Sequence, residues 1–202
     1  MKLVIMTKST FFVEEDKILT TLFDEGMDNL HLFKPGSTPL YAERLLSLIP
    51  EDYYRKITVH DHFYLKNEYD LAGIHLDSAE TEIPNNYKGK IGRTCTDIQM
   101  LKEMKKKSSC VFLKNIFDCI EFSEEKKTFT QQQLEDAADK GLIDRHVYAL
   151  GGMSLDNIRM AKTLGFGGVV ICGDLWSRFD IHNQTDFKEL IAHFEKLRNA
   201  VR

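Results

Sequence analysis

Short apolar segments alternate with amphipathic segments along most of the chain. The apolar runs predict β-strands, and apolar residues spaced three and four positions apart predict helices between them. Strands are predicted at Lys2–Met6, Asn29–Phe33, Lys56–His60, Gly73–Leu76, Lys90–Thr94, Cys110–Lys114, Val147–Leu150 and Gly168–Cys172. Helices are predicted at Glu14–Glu25, Pro39–Leu48, Asp97–Lys107, Gln131–Lys140, Ser154–Leu164 and Asp186–Val201.

This alternation of eight strands with helices favours an α/β fold, a single (β/α)8 TIM barrel. A doubly wound open sheet is the alternative, but it usually has fewer strands and a glycine-rich first turn. The first turn here, Thr7–Phe12, contains no glycine. Residues 1–202 are therefore expected to form one barrel domain.

Composition excludes several classes of protein. The formal net charge of −4 provides no basic field for nucleic acid or an anionic membrane. The apolar run Leu3–Met6 is too short for a signal peptide, and no apolar stretch approaches the ~20 residues that span a bilayer. We expect a cytoplasmic protein. Its four cysteines form no C-x-x-C pair, and Cys172, at a strand end, is the first candidate if one is catalytic.

Glycines end the last two predicted strands. Tyr148–Met153 reads YALGGM and Gly167–Asp174 reads GGVVICGD. Glycine allows backbone N–H groups to approach an anion closely, and the loops after strands seven and eight of a barrel often bind phosphate. The glycines at the ends of these two strands predict a phosphate site.

Polar residues follow most of the other predicted strands, where a barrel carries its active site. They combine lysines with carboxylates, hydroxyls and histidines: Thr7, Lys8, Ser9, Lys34, His60, Asp61, His62, His75, Asp77, Glu80, Thr94 and Lys114. Carboxylates suit a hard cation, and lysines suit phosphate oxygens. The set indicates a Mg²⁺-dependent reaction of phosphorylated small molecules.

The order of motifs resembles the thiamine phosphate synthase (thiamine-phosphate pyrophosphorylase) and thiazole tautomerase superfamily. The matching segments are LHLFK (30–34), VHD (59–61), AGIHLDSAE (72–80), IGRTC (91–95), VFLKNIFD (111–118), ALGGM (149–153) and GGVVICGDLW (167–176). The resemblance covers nearly the whole chain. It implies a transferase of thiamine biosynthesis that couples hydroxymethylpyrimidine diphosphate with thiazole phosphate and uses Mg²⁺.

The resemblance also implies roles for individual residues. Lys34 matches a lysine that meets the diphosphate, and Thr94 falls where a serine touches the leaving group. Asp61 and Glu80 match the metal ligands. The cradle of the thiazole phosphate is matched by Gly151, Gly152, Cys172 and Gly173. His60 replaces an asparagine beside the metal ligand. The catalytic candidates are therefore Lys34, His60 and Thr94.

Several alternatives stay open. The loop Ile116–Thr130 lacks the family's T-x-T-K signature, which leaves room for a tautomerase-like isomerase, with His60 or His75 as acid–base, or for a non-catalytic phosphate-binding relative. An H-x-H pair, His60 and His62, can also bind Zn²⁺. The expected partners are small phosphorylated pyrimidine and thiazole substrates, and a homodimer is an open alternative.

Overall fold

Eight parallel strands close into a barrel in the computed structural model, which describes residues 1–121, 124–180 and 187–202. In chain order the strands are β1 (Lys2–Met6), β2 (Leu30–Leu32), β3 (Ile57–Val59), β4 (Gly73–Leu76), β5 (Lys90–Cys95), β6 (Cys110–Leu113), β7 (Val147–Ala149) and β8 (Gly168–Ile171). Each strand pairs with the next, and β8 pairs with β1 from Lys2–Gly168 to Ile5–Ile171. The fold is therefore the predicted (β/α)8 TIM barrel.

Helices lie between most of the strands and cover the outside of the barrel. They are α1 (Glu15–Asp24), α2 (Pro39–Leu48), α3 (Leu65–Glu68), α4 (Leu101–Lys106), α5 (Gln131–Asp139), α6 (Ile158–Thr163), α7 (Gly173–Trp176) and α8 (Lys188–Val201), with 3₁₀ turns at Glu51–Lys56 and Ile98–Met100. The described part of the chain contains no helix with the length and apolar character needed to cross a membrane.

The predicted elements agree with the structure except near some of their ends. β1, β4 and α2 have the predicted bounds, and the short helices α3 and α7 were not predicted. The helix expected from Ser154 begins only at Ile158, because residues 154–157 form a turn closed by the Asn157 side chain, which accepts from the Ser154 N–H at 2.9 Å. Asp186, the predicted start of the last helix, lies outside the described residues.

The core has two parts. The larger part lies between the strands and the surrounding helices, where strand residues such as Ile5 and Val169 meet helix residues such as Leu22 and Phe194. The smaller part fills the inside of the barrel with Val4, Met6, Phe112 and Val170. Three buried histidines, His31, His60 and His75, lie beside these residues, since His31 and His75 both contact the Phe112 ring.

The loop that follows β6 leads into α5 through a capping box. Thr130 Oγ1 accepts from the Gln133 N–H at 3.2 Å, and the Gln133 side chain accepts from the Thr130 N–H at 2.9 Å. Two of the four unpaired N–H groups of the first turn are satisfied in this way. The cap fixes where the loop ends and the helix begins.

We expect Thr130→Ala to lower the free energy of unfolding by about 1 kcal/mol, because it removes the acceptor for one helix N–H. Urea unfolding followed by circular dichroism would measure the change. Gln132→Ala, on the exposed face of the same helix, is the control and should change stability much less. Equal stability of Thr130→Ala and the wild type would contradict this role of the cap.

Candidate functional site

A cavity opens at the carboxyl ends of the strands, where the sequence predicts the site. Its apolar wall is formed by Met6, Phe33, Leu150, Met153 and Val170. Its polar lining comes from the ends of β4 to β8 and from the loop after β6, and consists of Asp77, Thr94, Lys114, Glu121, Glu125, Gly151, Gly152, Cys172 and Gly173. An apolar cleft with a few convergent polar groups is typical of a small-molecule site.

The glycine pair after β7 adopts a backbone that other residues rarely adopt. Gly151 has φ +98° and Gly152 has φ +60°. Among the described residues, the N–H groups of Gly151, Gly152 and Met153 have no hydrogen-bond acceptor, although these residues line the cavity. Buried N–H groups are nearly always paired, so this turn offers donors to an anion.

The same glycines also allow the loop after β6 to lie directly on the turn. A Cβ on Gly152 would overlap the carbonyl oxygen of Asp118 and the Cβ of Phe117. Across this contact the Phe117 N–H donates to the Gly151 carbonyl at 3.0 Å. The glycine turn therefore positions one wall of the cavity as well as its donors.

The last strand leads into the short helix α7, which fixes the glycine turn from the other side. Asp174 is buried, and its Oδ2 accepts from the Leu155 N–H at 3.1 Å and from His193 Nε2 at 2.7 Å. One carboxylate thus connects the segment after β7 to helix α8. The neighbouring Trp176 is buried and donates from Nε1 to the Met6 carbonyl at 2.7 Å.

Cys172 is held in a hydrogen-bonded position rather than exposed as a nucleophile. Its Sγ donates to Glu121 Oε2 at 2.9 Å, and Glu121 Oε1 accepts from both the N–H and the hydroxyl of Ser9, at 3.2 and 3.0 Å. Burial, followed by the negative charge of Glu121, raises the pKa of the Cys172 thiol well above its ordinary value. The thiol therefore stays protonated, which argues against a catalytic thiolate.

Lys34 forms a buried ion pair beside the site. Its side chain is 2% exposed, and its Nζ lies 2.6 Å from Glu15 Oε1 and 2.9 Å from the Thr10 carbonyl. The ammonium also lies 4.6 Å from the centre of the Phe11 ring. Burial lowers the pKa of Lys34 and raises the pKa of Glu15 to about 7. Lys34 does not line the cavity.

Thr94 and His60 belong to a hydrogen-bond network around Asp77. The Thr94 hydroxyl donates to Asp77 Oδ1 at 3.3 Å, and His60 Nδ1 lies 2.8 Å from Asp77 Oδ2. The His60 side chain has no solvent exposure, whereas that of Asp77 is 41% exposed. Thr94 and Asp77 therefore face the cavity, while His60 supports Asp77 from inside the barrel.

The two predicted metal ligands lie at the mouth but do not line the cavity. Asp61 Oδ2 accepts from the Lys34 N–H at 3.4 Å, and Glu80 is exposed in the loop after β4. The H-x-H pair is separated, because His62 has φ +52° and its Nε2 lies 2.9 Å from the Ser37 carbonyl. His60 instead points to His31 and Asp77.

Four charged lining residues are absent from the predicted site. Asp77 and Lys114 stand at strand ends and were noted as polar, whereas Glu121 and Glu125 come from a loop whose path the sequence does not reveal. Lys114 Nζ lies 2.7 Å from Glu125 Oε1, so this lysine is also paired with a carboxylate. The strand-end position was the available signal for Asp77 and Lys114.

The carboxylates at the mouth have the donor chemistry that Mg²⁺ requires. Mg²⁺ prefers oxygen ligands, and in many enzymes it uses one or two carboxylates together with substrate phosphates and water. Asp61 and Asp77 follow the neighbouring strands β3 and β4 and provide such oxygens. Among the described residues, the only group of three close metal-binding side chains is His31, His60 and His75, whose nitrogen atoms do not suit Mg²⁺.

Solved structures provide the comparison with known proteins. A thiamine phosphate pyrophosphorylase from Bacteroides thetaiotaomicron is 44% identical, with a TM-score of 0.90 over 99% of this chain and 97% of that chain. A thiamine phosphate pyrophosphorylase from Pyrococcus furiosus is 17% identical, with a TM-score of 0.73 over 99% of this chain and 95% of that one. A 3-hexulose-6-phosphate synthase is 16% identical, with a TM-score of 0.63 over 100% of both chains. The last two show the fold alone. No family model and no curated protein matches the chain.

The buried Glu15–Lys34 pair predicts an unusual dependence of stability on pH. Because the pKa of Glu15 is raised from its ordinary 4.5 to about 7, the folded protein keeps a proton that the unfolded chain releases in that interval. The free energy of unfolding should therefore fall as pH rises from about 4.5 to about 7. The contribution of Glu15 to this fall is on the order of 3 kcal/mol.

Urea unfolding across that pH interval tests this expectation with Glu15→Gln. The variant should lack the fall in stability that Glu15 causes, because glutamine does not titrate. Glu14→Gln, on the exposed neighbouring residue, is the control and should keep the wild-type profile. Parallel pH profiles for the wild type and Glu15→Gln would contradict the prediction.

Proposed function

Because the chain belongs to the thiamine phosphate pyrophosphorylase family, we propose that it forms thiamine phosphate from hydroxymethylpyrimidine diphosphate and thiazole phosphate. The thiazole nitrogen forms a bond to the pyrimidine methylene carbon as the bond from that carbon to the diphosphate oxygen breaks. Pyrophosphate is the leaving group, and the reaction balances in atoms and charge. The identity of 44% over 99% of the chain is the observation that carries this proposal.

The glycine turn after β7 supports the binding of the thiazole phosphate. The unpaired N–H groups of Gly151, Gly152 and Met153 face a cavity with apolar walls, so they offer donors to phosphate oxygens. Gly173 and Cys172 complete this side of the cavity. The apolar wall suits the two heteroaromatic rings and keeps water away from the reacting carbon.

The opposite side of the mouth would receive the diphosphate. Thr94 presents its hydroxyl to this side of the mouth. Asp61 and Asp77 would hold Mg²⁺, and Glu80 is the further ligand that the family resemblance implies. When bound, Mg²⁺ would neutralise the charge that develops on the leaving diphosphate. Lys34 would contribute to the same task after exchanging Glu15 for a phosphate oxygen. His60 would act by holding Asp77 in place.

The assay that tests the proposal supplies both substrates and Mg²⁺ to the purified protein and measures thiamine phosphate as thiochrome fluorescence after oxidation. Thiamine phosphate formation that depends on both substrates would support the synthase. Binding of thiazole phosphate without any product would refute it and favour the non-catalytic relative. Conversion of the thiazole phosphate alone would favour the isomerase, although the buried side chains of His60 and His75 provide no direct contact for it.

The metal assignment predicts that Asp61→Asn lowers kcat/KM about a hundredfold and raises the Mg²⁺ concentration needed for half-maximal rate, because one charged oxygen ligand is lost. Thiazole phosphate affinity should stay unchanged, since its cradle lies across the mouth. Glu80→Gln tests the second ligand in the same way.

Glu82→Gln is the matched control for both variants, because Glu82 is exposed in the same loop as Glu80. It should leave the rate and the Mg²⁺ dependence unchanged. If Asp61→Asn behaves like Glu82→Gln, then Asp61 is not a metal ligand, and Asp77 becomes the residue to test.

A further inference from the structure

One lysine points into the cavity from the end of β6. Val111 and Leu113 of this strand pack toward the surrounding helices, whereas Phe112 fills the inside of the barrel. Because successive side chains of a strand point to opposite faces, Lys114 lies on the same inner side as Phe112. Among the described residues that line the cavity, Lys114 is the only lysine or arginine.

The neighbouring strands fix the backbone from which this lysine projects. The Lys114 N–H donates to the Cys95 carbonyl of β5 at 2.8 Å, and the Ile116 N–H donates to the Leu150 carbonyl after β7 at 3.1 Å. Lys114 therefore lies between Thr94 of β5 and the glycine turn after β7. Its backbone is held, and its flexible four-carbon stem allows the ammonium to change partners.

The present partner of this ammonium is a carboxylate from the loop after β6. Lys114 Nζ lies 2.7 Å from Glu125 Oε1, and the two side chains are 32% and 31% exposed. The Glu125 carbonyl accepts from the Cys119 N–H at 2.8 Å, which holds the carboxylate over the cavity. An ion pair that water reaches contributes little net free energy, because water competes for both charges. A ligand with several anionic oxygens can therefore replace Glu125.

The other lysine at the mouth is less accessible to a ligand. The side chains of Lys34 and its partner Glu15 are each 2% exposed, and Lys34 does not line the cavity. The glycine turn does line the cavity, but it offers neutral N–H donors and no positive charge. Lys114 is thus the cation that a substrate in the cavity meets first.

We propose that Lys114 binds the diphosphate of the leaving group, and that Glu125 is the counterion which the diphosphate displaces. This inference rests on the proposed function. As the bond from carbon to oxygen breaks, its electron pair stays on the diphosphate oxygen, and an adjacent ammonium stabilises that charge. Lysine provides a mobile point charge for a phosphate group, whereas the neutral glycine turn suits the less charged thiazole phosphate.

Calorimetric titration with pyrophosphate and Mg²⁺, and separately with thiazole phosphate, tests the assignment without reference to turnover. Lys114→Met should weaken pyrophosphate binding at least about tenfold, because a charge-assisted hydrogen bond is lost. It should leave thiazole phosphate binding unchanged and lower kcat/KM by about a hundredfold. Lys126→Met is the matched control, since Lys126 belongs to the same loop and its side chain is 66% exposed. This variant should bind pyrophosphate like the wild type.

Glu125→Gln tests the counterion in the opposite direction and does not depend on the folding of Lys114→Met. It should bind pyrophosphate more tightly than the wild type, because the competing negative charge is removed. Unchanged or weaker binding would refute the role of Glu125. A folded Lys114→Met protein that binds pyrophosphate normally, or that loses thiazole phosphate instead, would refute the role of Lys114.

The outcomes separate this inference from the proposed function. Thiamine phosphate synthesis by the wild type together with full activity of Lys114→Met would refute the inference and leave the function intact. Pyrophosphate binding that depends on Lys114, in a protein that makes no thiamine phosphate, would support the lysine site and refute the function. The absence of pyrophosphate binding by the wild type would refute the inference.

Discussion

The barrel mouth depends on the close approach of two backbone segments that only glycine permits. Gly151 and Gly152 turn with positive φ, and the loop after β6 lies against them without room for a Cβ. Gly173 makes the same kind of contact with Ile120. Any side chain at these positions would displace the loop that carries Glu121 and Glu125 into the cavity. The unpaired N–H donors and the acidic wall are therefore fixed by one packing constraint.

The loop after β6 then joins parts of the mouth that are distant in sequence. Glu121 contacts Ser9, which follows β1, and Cys172, which follows β8. Because β1 and β8 are the pair that closes the barrel, this carboxylate connects the closing strands to the loop after β6. The loop lacks the family's T-x-T-K signature, and the hydrogen bonds of Glu121 hold it in place.

Sequence periodicity was sufficient to predict the barrel, because strands buried on both faces and amphipathic helices have distinct patterns of apolar residues. The glycine turns were also predictable, since glycine itself is the signal. The pairing of Lys34 with Glu15 was not predictable, because it joins the segment after β2 to the first turn of α1 and leaves no local pattern. The cluster of His31 with His60 and His75 was missed for the same reason. His60 and His62 are close in sequence, but backbone turning at His62 separates their rings.

The two sides of the mouth differ in what they require before a phosphate can bind. On the glycine side, the N–H groups are unpaired among the described residues, so an anion gains donors without displacing anything. On the other side, both lysines are already paired, Lys34 with Glu15 and Lys114 with Glu125. A diphosphate must compete with these carboxylates, and the added negative charge of Asp77 opposes it. In the proposed reaction, a divalent cation bound with the diphosphate would remove that opposition, which gives a physical reason for Mg²⁺ on this side of the mouth and not on the glycine side.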